Sequence, residues 1–195
     1  LAGDADQSIY QPGFSFKRAG IEIVGRSRIL RTNFRNTVQL HELAEAYRAK
    51  CPGLDAENQP EAFRVGPPPE LLTGKDTSEL LDLLLSRLEL FIKRFKYAPE
   101  NICIISATDR DLRSLSELLQ RSGLDTIDIR IQEFDFATST GVRLTTMHSS
   151  KGLDFPVVMV YLPKLYLNDG GFDSATHERM QRNLVYVAIT RAMDH

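Results

Sequence analysis

The sequence contains no tryptophan and only two cysteines, Cys51 and Cys103. They lie far apart and form no C-x-x-C pair, which excludes a disulfide framework and a clustered zinc site; a reducing, cytoplasmic setting fits best. No apolar run approaches the ~20 residues of a bilayer span, the longest being stretches such as Val157 to Leu162, so no membrane partner is expected. Neither sign of charge dominates. The 24 Lys and Arg against 26 Asp and Glu leave a formal net charge of -2, so any nucleic-acid contact must come from a local basic patch. The chain starts at Leu1 with no Met, basic n-region or signal-like stretch, and so reads as a piece of something longer. What is present, 195 residues at 42% hydrophobic and 26% charged, suits one compact α/β unit with at most a fragment of a second.

Strand and helix signals alternate. "ICIISA" (Ile102 to Ala107) is a short β-branched run, followed by Thr108 or Asp109 as N-cap, then Leu112, Leu115 and Leu119 at helical spacing, closed by Gly123. "IDIRI" (Ile127 to Ile131) alternates, "VRLTT" (Val142 to Thr146) is β-rich, and "VVMVYL" (Val157 to Leu162) is apolar enough for a strand buried on both faces of a parallel sheet. The best helix follows Asp76, with Glu79 completing a capping box and Leu80, Leu84, Leu88, Phe91 and Phe95 in one stripe. Another opens at Asn36 and stops before Pro52-Gly53. Between these two helices, residues 52–76 hold five of the nine prolines and read as loop around a short strand at Phe63 to Val65. A last helix runs from Glu178 to about Ala192. The expected fold is a doubly wound α/β layer.

Four segments carry chemistry. "GDADQSIY" (Gly3 to Tyr10) presents Asp4, Asp6, Gln7 and Ser8 at a strand end; an amide such as Gln7 can donate to a phosphate oxygen and accept from an attacking water. An Asx-type turn explains the bare string as well. "LRTNFRNT" (Leu30 to Thr37) carries Asn33 and Arg35 into a helix start, where a planar guanidinium matches phosphate oxygens; a surface arginine is the plainer alternative. "TTMHSSKGLDF" (Thr145 to Phe155) crowds Thr146, His148, Ser149, Ser150 and Lys151 into one strand-to-loop junction, as backbone-phosphate contacts require, although an idle loop histidine is common. "NLVYVAITRA" (Asn183 to Ala192) is an apolar helix with Arg191 near its carboxyl end, where a cation either answers the helix dipole or acts as an arginine finger.

In order and character these four strings resemble the motifs of UvrD/Rep/PcrA-like superfamily 1 DNA helicases: GDxDQSIY, L-x-x-NYR, T-x-H-x-x-KGLEF and YVAxTRA. The resemblance covers nearly the whole chain. It implies a RecA-like three-layer sandwich, with a mainly parallel central sheet and helices on both faces. Such helicases bind ATP between two RecA-like domains and run single-stranded DNA across both. The P-loop and the Mg²⁺-binding acids belong to the first domain, and neither motif occurs here. The chain is therefore expected to hold the tail of the first domain in residues 1–27 and the second domain in residues 28–195. ATP and Mg²⁺ are expected in the full-length protein, with the Mg²⁺ ligands outside this chain, which holds no metal site and is inactive alone.

By matching position, the resemblance makes Gln7, Arg35 and Arg191 catalytic, and these with Gly152 and Asp154 the ATP-binding set. Asp154 stands where the family usually has Glu beside a ribose hydroxyl. Tyr10, Asn33, Thr146, His148, Ser149 and Lys151 fall to DNA. So does Phe14 or Phe16, since "QPGFSFKRAG" replaces the family's short G-[WF]-RGA and its base-stacking aromatic. "ERMQRNL" keeps Arg182 but places Gln181 and Asn183 where the family has an acid and an arginine. No large accessory insertion fits between Arg35 and Thr145. Lys17 to Arg35 holds six basic residues and one acid, a positive strip or a solvated face. The expected partners are single-stranded DNA and the missing first domain. A non-catalytic docking module, for nucleic acid or protein, and the motor of a RecB-type helicase-nuclease are the alternatives.

Overall fold

The computed structural model describes residues 20, 32–50, 61–163 and 174–195. In chain order these form β1 (Thr32–Thr37), α1 (Val38–Ala49), β2 (Glu61–Arg64), α2 (Thr77–Glu89), β3 (Ile102–Ser106), α3 (Asp109–Arg121), β4 (Thr126–Asp128), β5 (Val142–Thr146), β6 (Val157–Tyr161) and α4 (Ser174–Ile189). Four strands make one sheet in the order β4-β5-β3-β6, every pair parallel. β1 and β2 form a separate parallel pair.

The period-2 alternation of β3 explains the three layers. Ile102 and Ile104 join Leu84, Leu88, Leu112, Leu115, Leu119, Val142 and Leu144 in a core beneath α2 and α3. Cys103 and Ile105 face the other way and pack with Met147, Phe155, Leu184, Val187 and Ala188, which covers the second face with α4. Helices thus lie on both sides of a parallel sheet, the arrangement expected.

The caps follow the sequence closely. Asp76 accepts a hydrogen bond from the Glu79 amide at 2.9 Å, and the Glu79 carboxylate accepts from the Lys75 amide at 2.7 Å. Thr108 caps α3, and Gly123 beyond its end takes the positive φ of 76° that closes such helices.

Five expectations need correction. The fully covered strand is β3; β6, last in the order of described strands, buries Val157 and Tyr161 but only partly covers residues 158–160. β4 stops at Asp128 because its carboxylate turns back to accept from the Arg130 amide at 3.0 Å, so "IDIRI" does not continue. α2 passes into a π-helical turn at Leu90–Arg94, which takes Phe95 off the buried stripe and leaves it half-exposed against Phe91 and His195. α1 begins at Val38, directly after its N-cap Thr37 rather than at Asn36, and the Gln39 side chain accepts from the Gly66 amide at 2.8 Å. α4 starts at Ser174 and ends at Ile189, leaving Arg191 in the turn beyond it.

That turn continues into Ala192, which bridges to Phe155 in parallel, and Val158 donates to the His195 carbonyl at 3.0 Å. The last residues therefore lie along the amino-terminal end of β6.

Candidate functional site

Gln7, Tyr10, Phe14 and Phe16 lie outside the described residues, as does the basic strip ahead of Arg35. The remaining candidates fall into two groups.

The first forms where β1 meets the end of α4. Asn33 pairs with Ala62 and Thr37 with Arg64, so β1 advances four residues while β2 advances two. Arg35 sits in this bulge. The Asn33 carboxamide shapes it: Oδ1 accepts from the backbone amides of Arg35 at 2.9 Å and Asn36 at 3.2 Å. Arg64 donates to the Arg35 carbonyl at 3.0 Å and pairs with Asp194, bracing the segment from below. Arg35 keeps 42% of its side chain exposed and places Nε 3.0 Å from Oδ1 of Asp154.

Arg191 meets the same carboxylate oxygen, Nη1 to Oδ1 being 3.9 Å. Its side chain is only 1% exposed. A guanidinium that deeply buried must be hydrogen-bonded to be tolerated, and it is. Nε donates to the Val187 carbonyl at 3.0 Å, Nη1 to the Leu153 carbonyl at 3.2 Å, and Nη2 to the Thr190 hydroxyl at 3.1 Å. Val187 lies in the last turn of α4, so the cation also answers the carboxyl end of that helix. Arg35 and Arg191 thus converge from opposite ends of the sequence on one carboxylate. Of the two roles the sequence offers Arg191, its burial matches the answer to the helix dipole, since an arginine finger presents an open guanidinium.

Asn36, which the sequence argument passed over, is the link between the two segments. Buried to 5% exposure, it donates through Nδ2 to the carbonyls of Thr190 at 3.2 Å and Ala192 at 2.5 Å. The available signal was the spacing of two asparagines around Arg35, a pattern that suits side-chain to backbone bonding ahead of a helix.

The second group is the turn after β5. Thr146, itself buried, accepts from the Ser149 amide at 3.3 Å through its hydroxyl, and its carbonyl accepts from Ser150 at 2.9 Å. The Ser150 hydroxyl donates to the Met147 carbonyl at 2.8 Å. Met147 anchors the turn in the core while His148, Ser149 and Lys151 stand exposed. Partial desolvation holds the His148 imidazole below the ordinary histidine pKa, which favours its neutral form. Gly152 follows with φ 84°, and no heavy atom comes within 4 Å of where a Cβ would stand, so backbone angle rather than a neighbour in this chain demands glycine there.

The two groups are not adjacent. Thr146 is level with Ser106 and, across β3, with Tyr161 at the carboxyl edge of the sheet. Asp154 precedes the other end of β6, four residue steps or roughly 13 Å away along the strand direction. Residues 147–156 span that distance.

An exposed guanidinium such as that of Arg35 suits an oxyanion such as a phosphate, while Arg191 adds a buried positive charge behind it. Among the described residues, no three His, Cys, Asp or Glu side chains gather as a metal site, and no helix is long and apolar enough to cross a membrane.

Comparison with known proteins places these observations. A family model for the UvrD-like helicase C-terminal domain matches residues 130–195. The ATP-dependent DNA helicase UvrD1 of Mycobacterium bovis and that of Mycobacterium tuberculosis are each 32% identical over 135 residues, covering 66% of the chain and 17% of the relative. The match thus spans about a sixth of those proteins' length. A crystal structure described as the C-terminal domain of a possible DNA helicase from Lactobacillus plantarum WCFS1 superimposes with a TM-score of 0.58 at 18% identity, over 83% of each chain, and so shares the fold.

Proposed function

We propose that this chain, whose residues 130–195 match the UvrD-like helicase C-terminal domain model and which is 32% identical over 135 residues to ATP-dependent DNA helicases UvrD1, is the carboxyl-terminal motor half of an ATP-dependent DNA helicase or translocase. Residues 28–195 are then the second RecA-like domain, and residues 1–27 the tail of the first. The observation that carries this reading is the meeting of Arg35 and Arg191 at Asp154.

Bound ATP with Mg²⁺ supplies the phosphoanhydride that hydrolysis breaks, held chiefly by the amino-terminal half. From this chain, Arg35 offers its exposed guanidinium to the γ-phosphate, where charge develops as the bond opens. Arg191 stands behind it as a second fixed positive charge. Asp154 balances the pair and is the group assigned to a ribose hydroxyl, and Gly152 gives the preceding turn its backbone path. Gln7 orients the attacking water. His148, Ser149 and Lys151 contact the backbone of single-stranded DNA, with Thr146 shaping their turn and Asn33 shaping the loop of Arg35. Tyr10 and one of Phe14 or Phe16 supply base stacking at about 1–3 kcal/mol per base.

The test is ATP hydrolysis by the chain alone and by a protein containing both halves, each with and without single-stranded DNA. The chain alone should be inert. The two-half protein should show DNA-stimulated turnover that falls by orders of magnitude in Arg35→Ala. Robust turnover by the isolated chain, or near-normal turnover in that variant, refutes the split site.

A non-catalytic docking module is the second reading, favoured by the tilted, exposed Phe34–Phe63 ring pair beside exposed Val65. A DNA-independent, nucleotide-independent complex with another protein, abolished by Phe63→Ser, would select it.

A further inference from the structure

We propose that Asn36 is a positioning residue that holds Arg35 and Arg191 as one preformed unit; this rests on the reading above, that the pair serves ATP hydrolysis.

The hydrogen-bond chemistry admits a single arrangement. The carbonyls of Thr190 and Ala192 can only accept, so the atom facing them must be Nδ2 of Asn36. Its Oδ1 then faces Nδ2 of Asn33 at 3.0 Å. Oδ1 of Asn33 is fixed in turn by the backbone amides of Arg35 and Asn36, which can only donate. Both carboxamides are engaged at each end.

The two carbonyls that Asn36 grips bracket Arg191 in the sequence, and Asn36 itself follows Arg35. One buried side chain therefore fixes the backbone on which each guanidinium is mounted. Asp154 links only the tips, at 3.0 and 3.9 Å, and on a partly exposed side chain. A ligand that draws Arg35 away from Asp154 leaves the Asn36 clamp intact. The clamp, rather than the ion pair, sets where Arg35 returns and how far it reaches. Phosphoryl transfer is sensitive to placement at the 1 Å level, where an error costs about 100-fold in rate.

Asn36→Asp tests this in a protein containing both halves. It keeps the shape and Oδ1 of the side chain but turns the donor toward two carbonyls into an acceptor. With DNA present, kcat for ATP should fall roughly 10- to 100-fold, with KM changed far less. In an Arg35→Ala background the same substitution should cause a clearly smaller further loss, because the part of its effect that passes through Arg35 is already gone and only the part through Arg191 is left. An unchanged kcat in the folded variant overturns the proposal. So does a full multiplicative loss in the Arg35→Ala background, which would mark a disturbance acting elsewhere. If Arg35→Ala alone turns over normally, the hydrolysis reading fails first, and visibly so, since Asn36 is untouched in that variant. Should Asn36→Asp not fold, Asn36→Ser removes the amide without burying a charge and is judged by the same criteria. Loss of folding in both marks a purely structural tie and overturns the proposal.

Discussion

Arg191→Lys separates what the charge does from what the guanidinium shape does. Lysine keeps the positive charge but carries it on one flexible point. The three acceptors around Arg191 diverge: the Val187 carbonyl at 3.0 Å, the Thr190 hydroxyl at 3.1 Å and the Leu153 carbonyl at 3.2 Å. An ammonium replacing the fork reaches one of these well, so about two bonds from a charged donor are lost, each contributing about 1.5–3 kcal/mol. Part of that is recovered by rearrangement, which leaves an expected destabilisation of about 2–3 kcal/mol. In a domain of this size roughly 2–4 °C of Tm accompany each kcal/mol, so the transition should move down by roughly 5–10 °C. Circular dichroism of thermal unfolding measures this directly. Repeating the melt near 1 M salt, where the screening length falls to about 3 Å, distinguishes a charge effect from a hydrogen-bond effect. The gap between wild type and variant should persist. A Tm within about 1 °C of wild type would refute the claim that these carbonyls, rather than the charge alone, hold Arg191.

Leu115→Ala removes a fully buried side chain between α3 and the sheet and should cost about 2–5 kcal/mol in denaturant unfolding; a loss under about 1 kcal/mol would contradict the packing described. Cys103 is buried and desolvation drives its thiol far above the ordinary range, so in a Cys51→Ser background an aromatic disulfide reagent should label it only as the protein unfolds, and rapid native labelling would be inconsistent. Burial also lowers the pKa of His148 and of His195, the latter partly offset by Asp194 and Glu70. The unfolded chain therefore binds more protons around the ordinary histidine pKa, so stability rises with pH there and is lost as pH falls through it. Comparing urea midpoints at about pH 5 and about pH 7.5 should show a smaller acid loss in His195→Phe than in wild type, and equal losses would exclude His195 as a contributor.

Much of this was readable from local chemistry. Val142 to Thr146, Asp76 with Glu79, and Thr108 ahead of Leu112 each declare strand or cap through neighbouring residues, and the structure agrees to the residue or nearly so. The misreadings share a cause in tertiary context. Val157 to Leu162 is as apolar as a central strand, yet nothing in its composition tells that Ile102–Ser106 takes a middle position and β6 the last place among the described strands. The stripe through Phe91 and Phe95 has helical spacing, but where the helix widens Phe91 stays against the core while Phe95 stands half-exposed beside it and His195. At the site, the two arginines stood out because their motifs are distinctive. The depth of Arg191 did not, since two of its partners are backbone carbonyls, which every residue possesses. Asn36 escaped notice for a similar reason: its partners lie at the far end of the chain, and only folding brings them within reach.

The stretch from Met147 to Pro156 has a mechanical meaning. It is pinned at one end by Met147 in the core and at the other by Phe155, which exchanges backbone hydrogen bonds with the segment that follows α4. Leu153 O, gripped by Arg191, adds a rivet partway along. Ten residues with so many anchors behave as a connecting rod rather than a slack tether. The turn after β5 and the Asp154 carboxylate are therefore joined by a short stretch of chain anchored at both ends and once between.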